Sequence, residues 1–406
     1  MPYQFSQEAE RILADVRGFM DEYVYPIEDE YEAQLEAAGN GDPALLDELK
    51  AVARERGLWN LFLPHLSIDA PGTKLSNLDY APVSEELGKV WFASELLNCA
   101  APDTGNMEIL NAYATEEVRR RWLAPLLEGE IRSAFSMTEP DVASSDATNI
   151  GMSMERRGDS YVLNGRKWFS SGAGRDRCQV LIVMARSNPD APRHLQQSMI
   201  VVPKDAPGVS IARTPHVFGY DHTGGHPEIV YDDVVVPAGN LLGEEGGGFA
   251  IAQARLGPGR IHHCMRTIGA AERALELLID RALARSTFGS LVAEKGLIQD
   301  WIAESRIDID MARQYVLHTA HLMDTVGNKA AATDISGIKV AVPNIALRVI
   351  DRAIQVHGAA GVSQFTPLAA MYAHVRTLRL ADGPDEVHKM TIARREIRRR
   401  APEIRL

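Results

Sequence analysis

Two stretches of the sequence carry side chains that could do acid–base chemistry. The first is Asp382-Gly383-Pro384, where the carboxylate could take up a proton, although an Asp-Gly pair taken alone is typical of a plain turn. In the second, Arg260 is followed by His262 and His263, which either belong to the core or line a pocket. A zinc site is not indicated, because no further His or Cys stands at ligand spacing from these histidines.

The composition restricts the class of protein that could use these residues. Hydrophobic residues make up 45% of the 406 and charged residues 24%, which is globular usage. A net charge of −12 argues against general binding to nucleic acid or to membrane surfaces. The three cysteines form no disulfide framework, and we find no signal peptide and no apolar run of about 18 residues that could span a membrane. We therefore expect a cytoplasmic protein.

Residues 1–132 are predicted to form an N-terminal helical domain. Apolar residues recur at helical spacing from Ile12 to Val24, and Pro26 ends that pattern. Further helices are predicted at Leu45–Gly57, Tyr80–Leu87 and Glu116–Leu127.

Residues 133–245 are predicted to form a middle β domain, a sandwich or barrel, because short apolar runs alternate with Gly and Pro. Tyr161–Leu163 and Arg166–Phe169 flank Asn164-Gly165, which predicts a hairpin with a two-residue turn. Further strands are predicted at Val180–Met184, Met199–Val202, Val209–Ile211, Ile229–Tyr231 and Val234–Val236.

Residues 246–406 are predicted to form a C-terminal helical bundle, which makes the fold class α+β in the order α, β, α. Gly257-Pro258-Gly259 is predicted to separate the first long helix from its predecessor, and Gly358 to cap a later one. The predicted helices are Ile261–Arg285, Leu297–Val326, Ile335–Val356, Thr366–Leu380 and Asp385–Arg400.

Four motifs within this order closely resemble those of the acyl-CoA dehydrogenase superfamily. They are Phe135–Pro140 with Ser144-Ser145-Asp146, Asn164–Gly172, Arg285–Gly289 and Gln355–Gly358. The resemblance covers nearly the whole chain. It implies the fold of that family, with one FAD per subunit between the β domain and the bundle. It also implies a homotetramer, a dimer of dimers, in which a neighbouring subunit holds the far end of each FAD.

The resemblance implies a cofactor site shared by both domains. Phe169 would pack on the flavin ring, where the family commonly has Trp, and Arg285 would bind the pyrophosphate bidentately. Ala359 stands where the family has a second glycine. Without the resemblance, Phe169 would be interpreted as strand packing and Arg285 as a solvated charge. The residues implied to contact FAD are Phe135, Met137, Thr138, Ser144, Ser145, Phe169, Ser171, Arg285, Phe288, Gln355, Gly358, Ala359, Pro384 and Glu386.

Asp382 stands where most family members carry the Glu that removes the substrate's α-proton. A subgroup with the text Ala381-Asp382-Gly383-Pro384-Asp385-Glu386-Val387-His388 uses Asp, so the resemblance implies the same role here. The family's second base position, just before Arg260, is occupied by Gly259. The residues implied to contact substrate are Leu96, Ala100, Ser145, Gly259, Arg260 and Gly383.

The activity implied by the resemblance is FAD-dependent dehydrogenation of an acyl-CoA to a trans-2-enoyl-CoA, as in fatty-acid β-oxidation. Electrons would pass to an electron-transferring flavoprotein. Two alternatives remain open: an O₂-using flavoenzyme of the same fold (an acyl-CoA oxidase or a flavin monooxygenase), and a non-catalytic scaffold. Ala100 stands where a medium-chain enzyme has a bulkier acid, which indicates a deep acyl pocket. The basic run Arg394–Arg400 is interpreted as a solvated helix face, and the alternative is contact with CoA phosphates or with a neighbouring subunit.

Overall fold

A computed structural model describes residues 3–63, 65–66, 70–220 and 224–404. Two compact units make up the chain. The first comprises residues 1–25, 75–94 and 259–406, and the second comprises residues 26–74 and 95–258. Within the described ranges, no helix is long and apolar enough to cross a membrane.

The helices account for most of the first unit and for part of the second. In chain order they are α1 Gln7–Phe19, α2 Glu28–Ala38, α3 Ala44–Glu55, α4 Asn77–Leu87, α5 Ala93–Leu96, α6 Asp103–Tyr113, α7 Glu116–Val118, α8 Ala124–Leu127, α9 Gly248–Ala284, α10 Gly296–Val326, α11 Ala332–His357, α12 Leu368–Thr377 and α13 Asp385–Arg400. α10 to α13 begin and end within a few residues of their predicted bounds, whereas α9 begins 13 residues before the predicted Ile261.

The strands lie mainly in the second unit. They are β1 Arg132–Ser136, β2 Ser153–Arg157, β3 Ser160–Lys167, β4 Cys178–Arg186, β5 Gln197–Pro203, β6 Val209–Arg213, β7 Glu228–Pro237, β8 Leu241–Leu242, β9 Ser286–Thr287 and β10 Ser290–Leu291. The main sheet has the order β6-β7-β3-β2-β4-β5-β8, and β1 pairs with β4 in parallel. Its apolar side chains form one buried cluster. The predicted α, β, α class is confirmed.

The predicted hairpin at Asn164-Gly165 is wrong, because both residues lie inside the continuous strand β3. The ladder with β7 shifts register between Leu163 and Gly165, as at a β-bulge, and the amide of Asn164 bonds to Asp233 across it. The two-residue turn is instead Gly158-Asp159, which joins β2 to β3. β7 is likewise one strand where two were predicted.

The predicted break at Gly257-Pro258-Gly259 is also wrong, because α9 continues through it. A proline inside a helix removes one N–H donor and crowds the carbonyl four residues earlier. Here the residue before Pro258 is Gly257, which has no Cβ to clash with the proline ring. Pro82 and Pro343 are likewise accommodated inside α4 and α11.

Candidate active site

Asp382 lies in a tight turn between α12 and α13. Its φ is +56° and that of Gly383 is +100°, so two consecutive residues have positive φ. Asp is among the few residues that tolerate this conformation, and Gly adopts it freely. A Cβ at Gly383 would also lie 3.0 Å from Nε2 of His388. The turn therefore depends on an Asp followed by a Gly, and α13 begins two residues after it.

The backbone of Asp382 is held from two helices of the same unit. Arg260 Nε of α9 donates to the Asp382 carbonyl oxygen at 3.0 Å, and His388 Nε2 of α13 donates to the same oxygen at 3.2 Å. At the start of α13, the buried carboxylate of Asp385 accepts a bond from Arg379 Nε at 2.8 Å. Hydrogen bonds thus hold the turn at the Asp382 carbonyl and at Asp385, where α13 begins.

The carboxylate of Asp382 faces α9. Nε2 of His263 lies 3.3 Å from Oδ2 of Asp382, and the two side chains are 20% and 17% exposed. On the other side of the ring, a guanidinium nitrogen of Arg266 donates to Nδ1 of His263 at 3.4 Å. Gly259, one turn earlier on α9, leaves room beside the carboxylate, since a Cβ there would lie 3.3 Å from Oδ2.

Burial decides the protonation state of the imidazoles around Asp382. It lowers the pKa of His263, and the hydrogen bond to Asp382 opposes this only in part. Burial likewise lowers the pKa of His388 to about 4, aided by the charges of Arg260 and Lys339. Both rings are therefore neutral at neutral pH. Arg260 supplies positive charge to this site, and burial also lowers its pKa below the usual range for arginine.

The two adjacent histidines of α9 have different environments. His262 is buried, and its ring lies edge-on to that of Tyr80, with centroids 5.0 Å apart. Burial lowers the pKa of His262 to about 3. His262 is therefore a core residue, whereas His263 belongs to the Asp382 cluster. The sequence left both assignments open.

The second unit contains the residues implied to meet the flavin ring, and the first of them form the segment after β1. Lys167 Nζ donates to the carbonyl of Met137 at 2.9 Å and to Oε1 of Glu139 at 2.8 Å. Thr138 Oγ1 donates to the carbonyl of Trp168 at 2.9 Å, and the Trp168 N–H donates to the carbonyl of Thr138 at 3.0 Å. These bonds tie residues 137–139 to the end of β3.

The buried pair of Glu139 and Lys167 is the anchor of this segment. Besides Lys167, the Glu139 carboxylate accepts bonds from the N–H groups of Gly151 at 2.8 Å and Met152 at 3.0 Å. Burial lowers the pKa of Lys167 to about 8, against the attraction of Glu139. Ser144 Oγ accepts from the Glu139 N–H at 2.9 Å, so Ser144 acts within this loop. Ser145, beside it, is exposed.

Phe169 and Ser171 follow β3 and have different surroundings. Phe169 has φ +50° and is 43% exposed, which contradicts the alternative interpretation of a packed strand residue. Its ring centroid is 5.1 Å from that of Trp168 and 5.8 Å from that of His226. Ser171 Oγ hydrogen-bonds Nδ1 of His226 at 2.7 Å. His226 was not singled out from the sequence, because it lies over fifty residues away.

Phe135, in β1, packs against a buried arginine. The guanidinium of Arg255 lies 3.9 Å from the Phe135 ring centroid, and its Nε donates to Asn106 at 2.8 Å. Nearby on α6, burial raises the pKa of the Glu108 carboxyl to about 8 despite the charge of Arg255. Of the implied acyl-pocket residues, Leu96 is fully buried and Ala100 partly buried.

The residues implied to hold the nucleotide half of FAD are all exposed. Arg285 follows the end of α9, and Phe288, with φ +49°, is 98% exposed in the turn between β9 and β10. Exposed residues at the end of α11 form the other group, Gln355, Gly358 and Ala359. Arg285 lies 26 residues beyond Gly259, so a helical rise of about 1.5 Å per residue separates them by about 39 Å.

The side chains around Phe169 are chemically suited to the flavin ring of FAD. An exposed aromatic ring stands beside hydroxyl groups, and a flavin ring combines apolar faces with polar edges. The Thr138 hydroxyl already donates to Trp168, so toward a cofactor it can only accept. Pro384 is the residue that precedes α13, and Glu386 lies in the first turn of that helix. In the described ranges, no cluster of three or more His, Cys, Asp or Glu could hold a metal ion.

Comparisons with known proteins agree along the whole chain. Three family models match, for the N-terminal domain of acyl-CoA dehydrogenase at residues 6–130, the middle domain at 134–234 and the C-terminal domain at 246–397. A Mycobacterium tuberculosis protein named as a probable acyl-CoA dehydrogenase, FadE2, is 54% identical over 98% of both chains. A solved structure from Mycobacterium abscessus, provisionally described as an acyl-CoA dehydrogenase, is 47% identical with a TM-score of 0.94 and covers 98% of this chain and 100% of its own.

Animal relatives are longer than this chain. Acyl-CoA dehydrogenase family member 11 of Gallus gallus is 54% identical over 97% of this chain, but the match covers 51% of that protein. The chain thus spans about half the length of the family member 11 relatives, and nearly the full length of the mycobacterial one.

Proposed function

Because the chain belongs to the acyl-CoA dehydrogenase family of FAD-dependent oxidoreductases, we propose that it dehydrogenates an acyl-CoA thioester between Cα and Cβ. The product is a trans-2-enoyl-CoA. Asp382 is the base that removes the α-proton. FAD, when bound, accepts the β-hydrogen as hydride.

The observation that supports this assignment most directly is the environment of the Asp382 carboxylate. This carboxylate combines a constrained backbone with a bare neighbouring face, which Gly259 provides. Asp is one methylene shorter than Glu, so its backbone must lie closer to the reacting carbon. The positive-φ turn, with its carbonyl held by Arg260 and His388, is suited to fix that backbone.

The residues of the chain would act in a defined order. The Asp382 N–H hydrogen-bonds the thioester oxygen, and this stabilises the charge that develops as the α-proton leaves. The acyl group excludes water from the carboxylate, which raises its pKa and makes it a stronger base. Thr138, Phe169 and Ser171 orient the flavin ring, and Lys167 keeps the backbone of residues 137–138 in place for it.

The remaining parts of the proposal follow the family resemblance. Electrons pass to an electron-transferring flavoprotein, and the enzyme is a homotetramer of fatty-acid β-oxidation in the cytoplasm. Arg285, Phe288, Gln355, Gly358 and Ala359 hold the nucleotide half of FAD. The substrate contacts are Leu96, Ala100, Ser145, Gly259, Arg260 and Gly383, and the other flavin contacts are Phe135, Met137, Ser144, Pro384 and Glu386.

Replacing Asp382 with Asn tests the proposal. The FAD-loaded variant is mixed anaerobically with a panel of acyl-CoA thioesters, and the flavin absorbance band is followed. We expect the wild type to bleach and Asp382→Asn to bleach at least about 1,000-fold more slowly, since the proposed proton acceptor is removed. FAD content should be unchanged. Asp300→Asn, an exposed carboxylate on α10, is the matched control and should bleach like the wild type.

Three outcomes would contradict parts of the proposal. Undiminished bleaching by Asp382→Asn would remove the base assignment. Fast reoxidation by O₂ with substrate bound would favour an oxygen-using enzyme over one that needs an electron-transferring flavoprotein. A wild-type protein that binds no FAD would favour a non-catalytic scaffold.

A further inference from the structure

We propose that His263 is a positioning residue for Asp382, which it holds by donating its Nε2–H to Oδ2 of the carboxylate. This inference rests on the proposed role of Asp382 as the base. It goes beyond the resemblance, which supplied no role for a residue at this position.

The first support is the geometry of the carboxylate. His263 Nε2 lies 3.3 Å from Oδ2, and on the neighbouring face Gly259 presents no side chain. An aspartate has two side-chain torsions, and the turn fixes only the backbone. Without the imidazole, the carboxylate would lose a contact that holds it beside the space at Gly259. With Oδ2 engaged by His263, we assign the substrate proton to Oδ1.

The second support is the tautomer of the ring. A guanidinium can only donate, so the contact of Arg266 with Nδ1 makes that nitrogen the acceptor. The single proton of the neutral ring is therefore on Nε2, which faces Asp382. Arg266 thus orients His263 as His263 orients Asp382.

The third support is the charge of the donor. Burial keeps the imidazole neutral, so it directs the carboxylate without placing an imidazolium against it. The other charged and titratable groups around this cluster are Arg260 and Arg266 of α9, Lys339 of α11, and Asp385 and His388 of α13. Lys339 donates to the carbonyl of Leu378, and Asp385 pairs with Arg379, so each has its own partner.

His263 does not relay the proton in this arrangement. The proton from the substrate's α-carbon goes to Oδ1 of Asp382, the C–H electron pair remains on the substrate, and His263 keeps its own proton. Both ring nitrogens are engaged, Nε2 as donor and Nδ1 as acceptor. We therefore expect His263 to affect the orientation of the Asp382 carboxylate and its pKa.

Two substitutions separate positioning from packing. His263→Ala removes the donor, whereas His263→Gln places an amide N–H close to the position of Nε2. His374→Ala, at an exposed position of α12, is the control. The measurement is the pre-steady-state rate of flavin reduction by a saturating acyl-CoA as a function of pH, with α-protiated and α-deuterated substrate.

For His263→Ala we expect the reduction rate to fall about 10- to 100-fold, since a misplaced base costs that much. The α-deuterium isotope effect should increase, and the acidic limb of the pH profile should move to higher pH, because a lost donor destabilises the charged carboxylate. His263→Gln should restore most of the rate. A wild-type rate and profile in His263→Ala, or equal losses in both variants with an unshifted profile, would overturn the proposal.

A second measurement does not depend on turnover. NMR titration of ring-¹⁵N-labelled histidines in the FAD-loaded protein should show a lower pKa for His263 in Asp382→Asn than in the wild type, because the variant lacks the charge that favours the protonated ring. An unchanged His263 titration would overturn the contact itself. If Asp382→Asn retains full flavin reduction but the His263 titration shifts, the contact is real and the base assignment is the part that fails.

Discussion

A single methylene distinguishes the base proposed here from the Glu that most family members carry. The shorter side chain can reach the same carbon only if its backbone moves closer, and here that backbone is a turn with φ +56° held by Arg260 and His388. Gly259 stands at the family's second base position, and it lies against the same carboxylate. The two base positions of the family, here Gly259 and Asp382, are thus adjacent in the structure, and only Asp382 carries an acidic side chain.

Gly259→Ala tests how much room the carboxylate needs. The added methyl would lie 3.3 Å from Oδ2 of Asp382, so the carboxylate must shift by a few tenths of an ångström. We expect flavin reduction to slow about tenfold, whereas stability should be equal or higher, since Ala exceeds Gly in helix propensity by about 1 kcal/mol. Stopped-flow reduction and thermal unfolding measure the two effects.

Gly18→Ala is the matched control for that experiment, because Gly18 lies inside α1 with open space around it. It should gain similar stability with no effect on reduction. A Gly259→Ala enzyme that reduces FAD at the wild-type rate would show that the carboxylate is not confined on this side.

At the residue scale, the sequence singled out Asp382 as the candidate base, and Gly259, Arg260 and Gly383 near it, but it did not assign His263 to this cluster. A motif of contiguous residues was sufficient to single out the acid. His263 is over a hundred residues away, and its proximity follows from the packing of α9 against the turn, which no local pattern encodes. The one available signal was helical phase, because Gly259 and His263 are four residues apart on α9 and share a face. The same limit applies to His226 and Arg255.

Among the elements, those with explicit end signals were predicted best. α13 begins after Pro384 as predicted, and α11 ends at Gly358, whose φ of +63° suits a C-cap glycine. The β domain was less predictable. Asn164-Gly165 has the composition of a hairpin turn, but the pairing of β3 with both β2 and β7 requires a continuous strand there, and Gly158-Asp159 supplies the turn. Tertiary pairing outweighs local turn preference in such cases.

Gly165→Ala tests this assignment of the bulge. Gly165 has φ +150°, and a Cβ there would lie 2.8 Å from Cγ and 3.0 Å from Cα of Met152. We expect the substitution to lower the free energy of unfolding by about 1–3 kcal/mol, through strain and crowding together. Urea titration of the FAD-loaded protein measures the change.

The turn glycine provides the contrast. Gly158 has φ +61° with open space around it, so Gly158→Asn, which tolerates that conformation, should change stability by less than about 0.5 kcal/mol. If Gly165→Ala proved as mild as Gly158→Asn, the tight approach of Met152, the residue before β2, to the bulge would be wrong.

On the scale of the whole molecule, the length of α9 separates the Asp382 cluster from the residues implied to bind the FAD pyrophosphate. The Asp382 cluster adjoins Gly259, while Arg285 follows the C-terminal end of the same helix, about 39 Å away. Arg285 and Phe288 are exposed, and Phe288 almost completely so. These features are compatible with a nucleotide-binding group that serves the FAD of a neighbouring subunit. From the sequence, the sharing of one FAD between two subunits could be predicted only by way of the family resemblance.

Subunit complementation tests this arrangement. Asp382→Asn removes the proposed base, and Arg285→Ala removes the proposed pyrophosphate ligand, so each variant assembled alone should be inactive or nearly so at limiting FAD. If each site takes its base from one chain and its arginine from another, refolding the two variants together creates some sites in which both residues are intact. Random pairing within dimers predicts about a quarter of the wild-type activity. If both residues of a site came from the same chain, every site in the mixture would carry one of the two defects, and mixing would restore nothing. Mixing Asp382→Asn with Asp382→Asn/Arg285→Ala is the control, because no site can then regain its base under either arrangement.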